Sequence, residues 1–355
     1  MILFMRQMSC VIPGGVHMLS SCFRPALHFA ILLALHGRQL SAADAPSPSL
    51  GLPLECKIRE TCWVANYLDV DSTPVARDFH CNARTYDGHD GVDFAIRDRS
   101  VMTRGLAVVA SLPGVVKNFR DNMPDVAIND AASRATVRGR ECGNGVVIDH
   151  ANGWQTQYCH LRQGSVRVRP GEKVEAGASI GQVGLSGHTE FPHLHFAVRF
   201  QGKIIDPFTG LNLRDGCGKQ ADTLWRSDLR LDYEPVALYN AGFAPGPPDI
   251  ESIRNGDRTD GPLPANAPAL VMWVDLLGVQ VGDKLRFRLR DPSGKLIFER
   301  EVLIDKTQAR RFVYAGRKRT ANAWPAGSFS GEVIHTRVIA GRPQEIKVET
   351  MVFVQ

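Results

Sequence analysis

Residues 192–196 read Pro192-His193-Leu194-His195-Phe196. Residues i and i+2 of a β-strand share a face. A strand here therefore sends His193 and His195 into one cleft and turns Leu194 and Phe196 to a core. Two imidazoles presented this way can hold a metal, and two half-exposed histidines on a sheet can equally be inert. The surrounding chain has the same β character. Gly145–Asp149, Thr156–Leu161, Ser179–Gly184 and Leu194–Phe200 are short β-patterned runs separated by glycine turns. Asn152-Gly153 between two of them is a hairpin signal. Residues 118–141 show no period and read as a long surface loop, expected to form one wall of a groove.

Two further clusters carry chemistry. His89-Asp90-Gly91-Val92-Asp93-Phe94 could turn one nitrogen and one oxygen ligand inward, a mixture that zinc accepts. On its own it reads more simply as a turn in which Asp93 caps backbone amides. In Tyr158-Cys159-His160-Leu161, Cys159 and His160 are adjacent on a strand and point to opposite faces, so they form no nucleophile pair with each other. With His160 toward the cleft, Cys159 could meet Cys142 across the hairpin. His80, His150 and His188 read as structural or solvent-facing. Gly184-Leu185-Ser186-Gly187 lacks the glycine that a nucleophile elbow needs two residues after its serine.

Taken together, His89…Asp93, Tyr158…His160-Leu161 and Pro192–Phe196 resemble, in order, the signature of the lysostaphin/LytM-type zinc metallopeptidases. Gly143–His150, Val174…Gly184 and Lys203–Pro207 resemble the intervening and closing strands of that family. The likeness covers roughly residues 85–212. It implies a mainly β fold, with an antiparallel-sheet peptidase domain over 81–218. It also implies zinc held by His89, Asp93 and His195, His160 and His193 as the catalytic pair, and peptidoglycan as the partner. The implied activity is hydrolysis of peptide bonds in peptidoglycan stems or cross-bridges by a zinc-activated water. Some members of the family have lost ligands and regulate other wall hydrolases, so a non-catalytic wall-binding regulator is the alternative. A carrier domain, to which Val174–Gly184 is also similar, lacks the modifiable lysine at its hairpin tip.

The rest of the 355-residue chain bounds these readings. Its 44% hydrophobic content suits a folded protein, and its length suits two domains. Residues 1–43 contain three arginines, no acid, the apolar run Ala26–Leu35 and the small residues Ser41-Ala42-Ala43, which read as a cleavable secretory signal. Met18 is a second candidate start. Ten apolar residues are too few to span a bilayer, which takes about 20. Without this leader 39 basic and 37 acidic residues remain, a net +2 with no basic-aromatic patch, so nucleic acid is not an expected partner. Cys56, Cys62, Cys81, Cys142, Cys159 and Cys217 remain as well, an even set that points to disulfides in a periplasmic or secreted protein. Residues 44–80 are expected to be a linker or pro-region and 219–268 a connector. Residues 269–355 read as a β-sandwich. In Lys284–Arg290, Leu285, Phe287 and Leu289 share a face, as do Ile346, Val348, Thr350 and Val352 near the end, and Asp291–Gly294 reads as a turn.

Overall fold

The computed structural model describes residues 47–219, 222–257, 261–339 and 341–355. The expected leader lies outside them. Among the described residues, no helix is long and apolar enough to cross a membrane.

The first ten strands are β1 (Cys62–Asn66), β2 (Val92–Ile96), β3 (Ala107–Val109), β4 (Gly114–Arg120), β5 (Asn144–Asp149), β6 (Trp154–Leu161), β7 (Lys173–Val174), β8 (Ser179–Gln182), β9 (His193–Phe200) and β10 (Lys203–Ile205). The large antiparallel sheet runs β1-β2-β9-β6-β5-β4-β7, with β10 also paired to β9 and β3 and β8 forming a separate pair. Alternation does the sorting. Val92 and Phe94 of β2, Leu194, Phe196 and Val198 of β9, and Val146 and Ile148 of β5 join one core cluster. The intervening Asp93 and His195, which sit opposite each other in register, take the other face.

The expected linker over 44–80 is a correction. Leu50 and Leu54 are buried in the main core and Cys62–Asn66 is an edge strand paired to β2. The Pro/Ser-rich signal covers only the start of that segment. Cys62-Trp63-Val64-Ala65 is apolar enough to be claimed by both faces of a sheet. The loop after β4 holds a second surprise. Asp130 caps a short helix over Ala131–Thr136 with a capping box to Ser133, and Met123, Ile128 and Val137 form a small cluster of their own. A helix of under two turns leaves no period to read.

The C-terminal strands are β11 (Ala237–Ala244), β12 (Ala269–Val279), β13 (Lys284–Arg290), β14 (Leu296–Leu303), β15 (Gln308–Lys318), β16 (Gly327–Ile339) and β17 (Arg342–Val354). Sheets β11-β12-β15 and β14-β13-β16-β17 enclose a core of Leu270, Met272, Val274, Leu285, Phe287, Leu289, Val313 and Val333. The sandwich thus starts at β11, inside the expected connector. Ile346 stays exposed, whereas Val352 on the same face is buried.

Strand β12 is buried along its whole length because it serves two cores. One side faces the sandwich interior. On the other, Leu277 joins Ala237 and Tyr239 of β11 against Trp63, Ala65 and Ala95 of β1 and β2. The buried Arg84 fastens the same junction, donating to Val64 O, to Ala65 O at 3.2 Å and to Glu234 O at 2.5 Å.

Candidate metal centre and active site

Strands β2 and β9 bring three of the expected residues into contact. His89 Nε2 lies 3.1 Å from Asp93 Oδ1, His195 Nδ1 lies 3.0 Å from the same oxygen, and His89 Nε2 lies 3.2 Å from His195 Nδ1. Tetrahedral coordination at bond lengths of about 2.0–2.1 Å places ligand atoms about 3.3 Å apart, so this donor set fits one small divalent cation. All three residues are buried.

Each ligand is oriented through its other polar atom. His89 Nδ1 donates to Tyr67 O at 2.7 Å, which leaves the Nε2 lone pair facing the centre. Asn66 Nδ2 donates to Asp93 Oδ2 at 2.9 Å. His195 Nε2 meets Asp90 Oδ1 at 3.1 Å, and Asp90 is itself held by Arg199 at 3.2 Å. Such partners fix ring tautomer and ligand direction. Asn66, Tyr67 and Asp90 escaped the sequence reading. The first two sit on and just after β1, and Asp90 lies inside the quoted motif, where its adjacency to His89 was the available signal. Gly91 is required by the same packing: a Cβ there would stand 2.7 Å from His195 Nε2 and from Phe196 O.

His160 reaches the cleft by a route that alternation does not give. Simple alternation from Trp154 and Tyr158 would send it into the core. Between Gly145↔Cys159 and Asn144↔Leu161 the pairing of β5 with β6 slips, and His160 takes φ +62°. This bulge returns Leu161 to the core and frees the imidazole. The adjacent Cys159 bonds Cys142, and Cys142 O accepts from His160 N at 2.8 Å. The ring then stands with its centroid 4.7 Å from that of His193 and 6.0 Å from that of His195. His193 donates from Nδ1 to Phe191 O at 2.9 Å and holds Nε2 3.4 Å from Asp93 Oδ1. All five expected site residues therefore gather in one buried cluster. His150 is fixed at the hairpin by Pro113 O and Thr156 Oγ1, His188 is exposed and His80 stacks on Tyr233.

Residues 87–207 match the model of peptidase family M23. This stretch resembles an M23 peptidase domain. Over 138 residues the chain is 32% identical to the DD-carboxypeptidase/endopeptidase Mpg of Neisseria meningitidis, a match spanning 38% of this chain and 26% of that protein. Over 118 residues it is 34% identical to the peptidoglycan DD-endopeptidase ShyA of Vibrio cholerae, spanning 33% and 22%. The matches thus cover only about a quarter of these relatives' length. Among solved structures, the lysostaphin catalytic domain from Staphylococcus simulans aligns with a TM-score of 0.24 at 23% identity, over 36% of this chain and 79% of that one.

The electrostatics of this site favour a positive charge at its centre. Burial opposes ionisation of Asp93, but the imidazoles around it outweigh burial and hold the carboxyl well below its ordinary value. A hydrogen bond from His195 lowers Asp90 to about 2. Burial would lower His195, yet Asp90 and Asp93 together raise it to about 9. His160 is different. Burial, then the neighbouring His193 and His195, keep it well below the usual imidazole value. Because its Nδ1 faces Ser186 O at 2.8 Å, its neutral form presents the Nε2 lone pair.

The loop expected as a groove wall packs on the segment leading into β9. Ile128 N donates to Thr189 O, and His188 N donates to Glu141 O, both at 2.8 Å. Gly187 permits this crossing, since a Cβ would fall 2.3 Å from Glu141 O. The six cysteines form Cys56–Cys62, Cys81–Cys217 and Cys142–Cys159.

Proposed function

We propose that the protein is an exported zinc metalloendopeptidase that cleaves peptide bonds in peptidoglycan, with His89, Asp93 and His195 as the zinc ligands. The observation that carries this reading is the convergence of three donor atoms 3.0–3.2 Å apart, each with its remaining polar atom already engaged. The chemistry that zinc supplies when bound is polarisation of a carbonyl and activation of water near neutral pH. His160, kept neutral by burial, accepts the proton of the attacking water at Nε2. His193, with Nδ1–H committed to Phe191 O, would in its doubly protonated form donate Nε2–H to the oxyanion that develops on the scissile carbonyl. Asp90 and Asn66 hold the ligands in place throughout. Peptidoglycan as substrate is supported by the named activity of the similar Vibrio cholerae protein. Export to the periplasm or beyond is supported by the leader-like residues 1–43 and by three disulfides.

Digestion of purified sacculi by the full-length protein, before and after chelation, tests this reading. Chelation is expected to abolish release of muropeptide fragments and zinc to restore it. Undiminished release in chelator would refute the metal mechanism. The division of labour predicts that His160→Ala lowers kcat by about 10²–10⁴-fold while zinc content stays at one per chain.

A further inference from the structure

Arg310 lies on β15 of the sandwich, yet its guanidinium carbon sits 5.4 Å from the ring centroid of Phe191, beside the active site. The side chain is only 16% exposed. It is aimed from below by Tyr239 Oη, which accepts from its Nε at 2.6 Å, and by Asp275 at 2.9 Å. Neutralising Asp275 does not need this placement, because Arg254 also reaches that carboxylate at 3.2 Å and Tyr239 donates to it at 2.6 Å. Phe191 in turn lies 4.9 Å from the His193 ring at a 35° tilt, and its carbonyl accepts from His193 Nδ1. Thr189 Oγ1 donates to the same carbonyl at 2.8 Å. Guanidinium, phenyl and imidazole thus follow one another in contact from the sandwich to His193.

We infer that Arg310 is a positioning residue for His193, acting through Phe191, so that the C-terminal sandwich is a working part of the active site. The inference rests on the peptidase reading for its kinetic consequence but not for its structural one. Holding the Phe191 ring restrains the backbone that carries its carbonyl, and that carbonyl, together with Thr189 Oγ1 at 3.0 Å from the same nitrogen, anchors His193 Nδ1 and so directs Nε2.

Two readouts on the full-length protein test it. In ring nitrogen–proton correlation spectra, His193 of the wild type should show one set of signals with Nδ1 protonated. Arg310→Met should shift or broaden that set and leave His150 unchanged, and unchanged His193 signals would overturn the inference. In sacculus hydrolysis, Arg310→Met should lower kcat about ten-fold with KM within about two-fold and full zinc content, and Arg310→Lys should recover most of it. A parallel rise in KM with kcat intact would contradict positioning. Phe191→Leu keeps the Arg310–Asp275–Tyr239 cluster and should reproduce both effects should Arg310→Met fail to fold. A wild type without hydrolysis would sink the peptidase reading, while the spectra would still decide the role of Arg310.

Discussion

Each ligand depends on a neighbour that presents it. Asp90 holds the His195 ring from behind, and loss of such a partner typically costs about 10–100-fold in metal affinity. Asp90→Ala is therefore expected to weaken zinc binding by that factor in a chelator competition, and an unchanged affinity would contradict the assignment. Another buried carboxyl makes a pH prediction. Burial raises Asp206 to about 6 despite hydrogen bonds from Phe208 N and Thr209 Oγ1. A folded-state value above the unfolded one favours folding only while the group is protonated. This contribution is intact below pH ~4 and lost as pH rises through ~6, on the order of 3 kcal/mol. Asp206→Asn should thus gain stability relative to wild type between pH ~4 and pH ~7 in denaturant titrations, and a constant difference would contradict it. The ligands themselves were legible because their spacing is a local pattern. Asn66 was not, because only the pairing of β1 with β2 brings it to Asp93.

At the scale of elements, the strands of the large sheet follow from alternation, which set Leu194 and Phe196 against His193 and His195 correctly. The bulge at His160 has no such signature, since it arises from the pairing of β6 with β5. The disulfide beside it secures that irregular turn. Loop-closure entropy ranks the three bridges by the chain they enclose. Their sequence separations are 6, 17 and 136 for Cys56–Cys62, Cys142–Cys159 and Cys81–Cys217. Replacing both cysteines by serine is expected to cost about 2, 3 and 5 kcal/mol respectively. Thermal melts would check the order, and a larger loss for Cys56–Cys62 than for Cys81–Cys217 would contradict it. The run Ala269–Val279, apolar but for Asp275 and Gly278, was itself a readable mark of burial on both faces. What covered its second face was not readable, because Trp63 and Ala95 lie 214 and 182 residues before Leu277 in sequence (277 − 63 and 277 − 95).

For the whole molecule, the junction through Arg84, Trp63 and Leu277 makes the sandwich a support for the strand that carries Asn66. Truncation after Arg226 would expose that apolar surface and leave Arg84 without Glu234. The shortened chain is expected to aggregate or to lose cooperative unfolding, and a soluble truncated chain with wild-type zinc affinity would contradict this. The central claim is that His89, Asp93 and His195 hold a zinc that serves peptide hydrolysis. Mass spectrometry of fragments released from purified peptidoglycan, run in parallel on wild type and His89→Ala with zinc content determined for both, tests it most directly. The account predicts peptide-bond cleavage products and one bound zinc for the wild type, and neither for the variant. Full fragment release by His89→Ala would contradict it.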